Sequence, residues 1–274
     1  VGAAVEPAVS APAVGASGQR TRQVIRFLPT LLLPLAVLVI WQLYCSLADV
    51  DPTVLPTPTR VVESLWDAKD IAWTHTWQTL KETFIGFAVS IVVAVVLAVA
   101  MDQLDWLRRA LYPMLVGSQT IPVIAIAPLM IIWFGFGLLP KVLVIILVTF
   151  FPIVVALLDG FAATEREAMN LLKTMGASKW QTFRLVRFPG AMPYFFTGLR
   201  ISATYAVIAA IFAEYVGAYT GLGIWMSQSK SAFRTDLVFG AIAISALVSI
   251  ALFLLVALLS RIVMPWYHAA RERS

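Results

Sequence analysis

Six apolar stretches, parted by clusters of charge, constrain this chain more than any other feature. Phe27–Ala48 runs 22 residues without a charged side chain, Thr83–Met101 runs 19 and Leu237–Ser260 runs 24. Val142–Leu158 adds 17, with Pro152 inside it. Ala110–Pro140 is uncharged for 31 residues, too long for one upright helix. Its prolines at 113, 122 and 128 predict an interfacial lead-in and then a kinked span from about Val116 to Phe134. Another stretch runs from Tyr194 to about Ala218, with Arg200 and Glu214 towards its two ends. A membrane span needs about 20 apolar residues. The expected fold is an all-α integral membrane protein with six transmembrane helices, at about 27–48, 83–101, 116–134, 142–158, 194–218 and 237–260.

Composition closes the alternatives. Apolar residues make up 60% of the 274 and charged residues 13%, about half the share in a soluble domain. A soluble fold of this length would expose large apolar patches; lipid removes that difficulty. The net charge of +5 is spread between the apolar runs and not gathered in a basic, aromatic-rich patch, so no nucleic-acid partner is expected. The single cysteine, Cys45, is expected as a packed side chain, and no Cys/His spacing suggests a metal site. His75 and His268 lie near span ends and are expected to be solvated or interfacial. No nucleophile, acid–base pair or metal cluster argues for an enzyme.

Lysine and arginine set the expected orientation. With the N-terminus inside, the outer side holds Arg60, Lys69, Lys81, Lys141, Lys230 and Arg234, leaving 14 of the 20 basic residues inside. That asymmetry favours both termini in the cytoplasm of a multi-pass membrane protein. Residues 1–26 are expected as a disordered cytoplasmic tail that is not a cleaved signal peptide, and the native start is expected to lie upstream of Val1. Residues 266–274 form a second cytoplasmic tail. Residues 49–82 then lie outside, where the two prolines of LPTPTR forbid a continuous helix. Residues 219–236, which carry GLG, also lie outside.

The inner connection, 159–193, is too long for a turn and is strongly patterned. Thr164 with Glu167 forms a capping-box pattern that starts a helix, with Met169, Leu171, Leu172 and Met175 as its apolar members. Gly176 fits a helix stop. Ser178 can cap a second helix bearing Trp180, Phe183, Leu185 and Val186, which Pro189 ends. Two short amphipathic helices meeting at a glycine suit a groove on a soluble partner or, equally, the lipid interface.

The segment resembles the coupling loop of binding-protein-dependent ABC importer permeases. That pattern is Glu-Ala-Ala, three residues, Gly, nine residues, Ile, one residue, Leu-Pro. Anchored on Gly176, it falls on Asn170, Leu171 and Leu172, then on Val186, Phe188 and Pro189. The glycine and proline match, and Gly176, Ala177 and Ser178 form a typical triplet. Asn170 stands where the pattern has Glu, with Glu167 one turn earlier. LPTPTRV at 55–61, IPVIAIAPLMIIWFGFG at 121–137 and GLGIWM at 221–226 extend the likeness over about residues 27–265. They resemble permeases for sulfonates, taurine, nitrate and thiamine pyrimidine precursors.

The resemblance implies a type I ABC importer permease fold with a cytoplasmic coupling-helix loop. It implies a cytoplasmic ABC ATPase dimer, an external substrate-binding protein and a second permease copy as partners. The chain itself would carry no cofactor; ATP and magnesium belong to the ATPase. Asn170, Lys173, Gly176, Ala177, Ser178 and Pro189 would couple to that ATPase.

Candidate pathway residues come from the spans. Ser202, Ala206, Ala210 and Glu214 recur every fourth residue, flanked by Tyr205. Such a stripe packs helices or lines a route, and Glu214 fits a gate, a structural bond or simple exposure. Gln119 and Thr120 stand at a possible helix break, and Trp133 can stack on a ring or sit at the interface. Pro193–Gly223 resembles permeases for thiamine pyrimidine precursors and riboflavin. The best expectation is therefore such an aromatic cargo, with sulfonate, taurine or nitrate second. An ion-driven carrier or a vitamin-binding membrane subunit is the alternative of another class.

Overall fold

The computed structural model describes residues 17–164 and 166–267, with side chains from Leu32 onward, Arg166 excepted. Its regular structure among these residues is helical. Two units emerge, residues 1–60 and 61–274.

The first unit holds α1, Ser17–Leu47, and the turns that follow it. The helix starts ten residues before the expected tail ends, while residues 1–16 lie outside the described ones. Past α1, the Asp51 carboxylate accepts the Thr53 N–H and hydroxyl, each at 2.8 Å. Those two bonds hold Asp51 below the usual carboxylate range. The Thr57 hydroxyl accepts the Arg60 N–H at 3.3 Å and caps α2, Pro58–Asp67. LPTPTR therefore starts a helix, because a proline in the first turn surrenders no backbone bond.

The second unit continues through α3 (Lys69–Gln103), α4 (Asp105–Ser118), α5 (Val123–Phe134), α6 (Leu138–Ala162), α7 (Arg166–Thr174) and α8 (Lys179–Thr182). A π-helical turn, Phe183–Arg187, leads into α9 (Phe188–Gly217), followed by α10 (Leu222–Ser231) and α11 (Thr235–Val263). Among the described residues, four helices or helix runs are long and apolar enough to cross a membrane: Lys69–Gln103, Leu138–Ala162, Lys179–Gly217 and Thr235–Val263. The α4–α5 pair adds a fifth if counted as one span.

Three departures from the sequence expectation matter. Helix α3 begins at Lys69 and not near Thr83, because polar side chains of its first four turns find partners on other elements: His75 at the start of α10, Thr79 on Glu214 of α9 and Glu82 on Lys141 of α6. The expected kinked third span is two helices bent by 102° at Gln119–Pro122. Pro189 does not end a helix either. It sits in the first turn of α9, where its missing N–H costs nothing, and the wide π turn before it absorbs the steric load.

The core lies where α6 packs along α3 and α9. Ala94, Ala98 and Met101 meet Ile145, Ile153, Val154, Leu157 and Leu158, backed by Ala203, Ala206, Ala209, Ala210 and Ala213. Alanines on α9 let the helix axes approach closely, which supplies van der Waals contact where lipid offers no hydrophobic drive. Polar links pin the layers. Ser90 and Thr149 pair hydroxyl to hydroxyl at 2.7 Å, and Ser202 donates to the Thr149 carbonyl at 2.7 Å. Buried polar groups inside such a bundle must be satisfied this way.

Candidate functional site

Chemistry-bearing side chains collect at the two ends of α9 and in a cavity along its middle. At its start lies the hairpin of α7 and α8. Helix α7 closes in a Schellman motif: the Ala177 N–H donates to Leu172 O at 2.9 Å and the Gly176 N–H to Lys173 O at 3.0 Å. Gly176 has φ +79°, the left-handed conformation this motif requires. A reciprocal capping box then opens α8: the Gln181 side chain accepts the Ser178 N–H at 2.7 Å, and Ser178 Oγ accepts the Gln181 N–H at 3.2 Å. At the start of α7 the expected Thr164 cap is replaced. The Thr164 hydroxyl donates back to Gly160 O at 3.3 Å, and the helix starts at Arg166.

The hairpin is rooted by aromatic rings. Phe183 is buried and stacks on Trp180 at 5.6 Å, with Phe161 of α6 at 5.6 Å and Phe188 at 6.0 Å. Arg187 completes the root. It donates to Asp102 at 2.7 Å and to the Phe161 carbonyl, so α3, α6 and the hairpin share one guanidinium. Beyond this root the hairpin presents a bare apolar face: Leu171, Met175, Trp180 and Leu185 are each more than 60% exposed. Asn170, Lys173, Ala177 and Ser178 lie along its open side, and Pro189 lies where it joins α9.

At the far end of α9 the arrangement is the reverse, closed and polar. Glu214 is fully buried. Its Oε1 accepts the Thr79 hydroxyl at 2.7 Å and its Oε2 the Gly223 N–H at 2.8 Å. Thr79 in turn accepts the Leu222 N–H at 2.8 Å. His75, half-buried, accepts the Gly221 N–H at 3.0 Å on Nδ1 and stacks on Trp225 at 5.7 Å. His268 lies outside the described residues.

The GLG sequence exists to wrap this carboxylate. Gly221 has φ +135°, and a Cβ on it or on Gly223 would strike Glu214. Beside it, Glu82 Oε1 accepts Lys141 Nζ at 2.6 Å and Gln78 at 2.7 Å. Lys141 is buried in this pair.

Between the ends, a cavity of about 460 Å³ opens on the flank of α9. Gln119 and Val123 line it from the α4–α5 bend, Phe151 and Pro152 from α6, and Tyr205 and Phe212 from α9. The structure thus brings Gln119 and Tyr205 together. Thr120 lies at the same bend and donates to Gly117 O at 2.7 Å. Trp133 stands on a separate, wholly apolar cavity of about 380 Å³ with Val93 and Phe150. Ser202, Ala206 and Glu214 are on none of these surfaces; they are buried in helix packing.

Thr79, His75, Glu82, Lys141, Asp102 and Arg187 were not anticipated. A buried role was signalled only by the position of Glu82, one residue before an apolar run.

Known proteins place this architecture. Residues 86–268 match the family described as binding-protein-dependent transport system inner membrane component. The chain is 40% identical to the formylaminopyrimidine transport permease protein ThiX of Halalkalibacterium halodurans, over 87% of this chain and 95% of that protein. It is 37% identical to the riboflavin transport system permease protein RibX of Chloroflexus aurantiacus, over 90% and 94%. With the taurine transport system permease protein TauC of Escherichia coli the identity is 29%, over 84% and 86%. A crystal structure of an amino acid ABC transporter shares the fold with a TM-score of 0.60, covering 72% of this chain and 96% of that one at 14% identity. The chain therefore belongs to the binding-protein-dependent transport system inner membrane components, the permease subunits of ABC importers, and has their type I fold.

Proposed function

We propose that this permease forms the pathway for a neutral heteroaromatic solute, of the thiamine pyrimidine-precursor or riboflavin kind, delivered by an external binding protein. The observation that carries the cargo class is the ranking of relatives: identity is 40% and 37% to the formylaminopyrimidine and riboflavin permeases, against 29% to the taurine permease. The flank cavity agrees, since none of its lining residues is charged. A sulfonate, taurine or nitrate cargo is the second choice, favoured by the relatives of lower identity. Membership in the permease family removes the ion-driven carrier and the vitamin-binding subunit.

The driving force comes from elsewhere. A cytoplasmic ATPase dimer, using ATP and magnesium, grips the α7–α8 hairpin through its bare apolar face. Asn170, Lys173, Gly176, Ala177 and Ser178 meet the ATPase, and Pro189 fixes where the lever joins α9. Because Arg187 ties the hairpin to α3 and α6, a displacement of the lever moves three spans together. Two copies enclose the route. Gln119, Thr120, Trp133 and Tyr205 border it, while Ser202, Ala206 and Glu214 form the packed face behind it. Both termini lie in the cytoplasm of a bacterial inner membrane, as the basic residues favour, which puts the Glu214 end outside.

Uptake in a strain lacking its own importers tests the cargo. Cells carrying the permease, its ATPase and its binding protein should accumulate labelled formylaminopyrimidine or riboflavin and not taurine. Taurine uptake alone would reverse the ranking.

A further inference from the structure

We propose that the cavity among α5, α6 and α9 is a resting site for the cargo, holding a flat, uncharged heteroaromatic ring with Tyr205 as stacking partner and the Gln119 amide reading its polar edge. The assignment rests on the aromatic-cargo reading above and adds to it the site and the residues that select.

Depth comes first. Tyr205 lies 17 residues into α9, about 26 Å from its start and about 18 Å from its end at 1.5 Å per residue. The cavity is therefore far from both ends of the bundle.

Polarity comes second. The α4–α5 break at Gln119–Pro122 interrupts the helical ladder at this depth. The first N–H groups of α5, at Val123 and Ile124, have no carbonyl one turn back within a helix. Broken backbone inside a membrane is tolerated where protein covers it or where it borders a water-filled cavity, not against lipid tails. Gln119, an exposed amide at the same point, carries the same message. This side of α9 faces an aqueous route.

Shape and charge come third. The volume of about 460 Å³ lies in the range of small-molecule sites, roughly 300–1,000 Å³. Phe151, Tyr205 and Phe212 line it with aromatic rings, and Tyr205 is 48% exposed. Stacking on such faces suits any planar ring. The Gln119 amide offers two donors and an acceptor, which matches the alternating N–H, ring nitrogen and carbonyl edge of a pyrimidine or a flavin. No Lys, Arg, Asp or Glu lines the cavity, so a sulfonate would bring a full charge there without a counter-ion.

The test uses the complete transporter in vesicles, loaded with its binding protein, and reads uptake of formylaminopyrimidine and riboflavin. Tyr205→Leu should reduce the uptake rate about tenfold, and Tyr205→Phe much less, since the ring face is kept. Gln119→Ala should reduce it by a similar factor for the probe whose polar edge it reads. Ile262→Val, exposed on α11 and lining neither cavity, serves as the control. Co-purification with the ATPase certifies that each variant is assembled. Assembled Tyr205→Leu and Gln119→Ala transporters that import both probes at the wild-type rate would overturn the site alone. A wild-type transporter that imports neither probe would overturn the cargo reading and the site together.

Discussion

Thr79 stands between Glu214 and the GLG loop, donating its hydroxyl to the buried carboxylate at 2.7 Å and accepting the Leu222 N–H at 2.8 Å. One hydroxyl thus joins α3, the end of α9 and the start of α10. A side chain with a single donor and two acceptor lone pairs fits that position, and a hydrocarbon of the same shape does not.

Thr79→Val keeps the volume and removes the hydroxyl. It leaves the Glu214 oxygen and the Leu222 N–H without Thr79, at a cost of about 1–3 kcal/mol for each buried polar group left unpaired. Thermal melting of the purified, detergent-solubilised permease should show a clear loss for Thr79→Val and recovery for Thr79→Ser. Equal melting of the two variants would mean that the hydroxyl contributes no stability.

Lys141 and Glu82 make a different prediction, because both are charged and both are buried. Lys141→Met strands the carboxylate, and breaking one side of a buried pair costs about 3–5 kcal/mol. Replacing both partners, as Glu82→Leu with Lys141→Met, should restore much of that loss, since an apolar pair of similar size has no desolvation to offset. Folded yield and melting of the single and double variants check the sign. A double variant worse than the single one would contradict it.

Gly176 separates backbone from side-chain causes. An added Cβ would meet nothing of this chain within 4 Å, so inside the permease a substitution there acts through the φ of +79°. The left-handed conformation costs roughly 1–2 kcal/mol for most residues with a side chain and less for asparagine and aspartate, so what separates Gly176→Asp from Gly176→Asn is the added negative charge. Gly176→Asp should abolish transport while the protein still inserts, and Gly176→Asn should retain part of it. Normal uptake by Gly176→Asp at normal expression would show that the corner does not set the lever.

Much of the fold is legible in the sequence because spans announce themselves locally. Apolar runs locate α6, α9 and α11 to within a few residues, except that α9 begins at Phe188 and not at Tyr194. The hairpin is legible for the same reason: its glycine stop and serine cap act over three or four residues. The polar knot around Glu214 is not. Thr79 and Glu214 are 135 residues apart, and Glu82 and Lys141 are 59 apart. Nothing local distinguishes a threonine that caps a distant carboxylate from one that faces water. The charges of Lys81 and Glu82 also cut the apolar pattern short, which hides the first four turns of α3. The 102° bend between α4 and α5 escapes because proline marks a break without giving its angle.

Arg187 predicts how force leaves the hairpin. Its bond to Asp102 ties the hairpin to α3. Asp102→Asn keeps the shape but replaces the ion pair by a bond from the charged guanidinium to a neutral amide oxygen, which loosens the tie. ATP hydrolysis stimulated by the binding protein should continue while transport per ATP falls. An unchanged ratio would place the transmission elsewhere.

The lever itself is open to one direct measurement. Leu171 is 62% exposed on α7, and the only native cysteine, Cys45, is buried and can be replaced by alanine. A benzophenone attached at Leu171→Cys, irradiated in membranes containing the co-expressed ATPase, should yield a covalent adduct between permease and ATPase subunit. Adducts with phospholipid alone, formed while the ATPase is present in the same membranes, would contradict the docking of this hairpin on a separate motor.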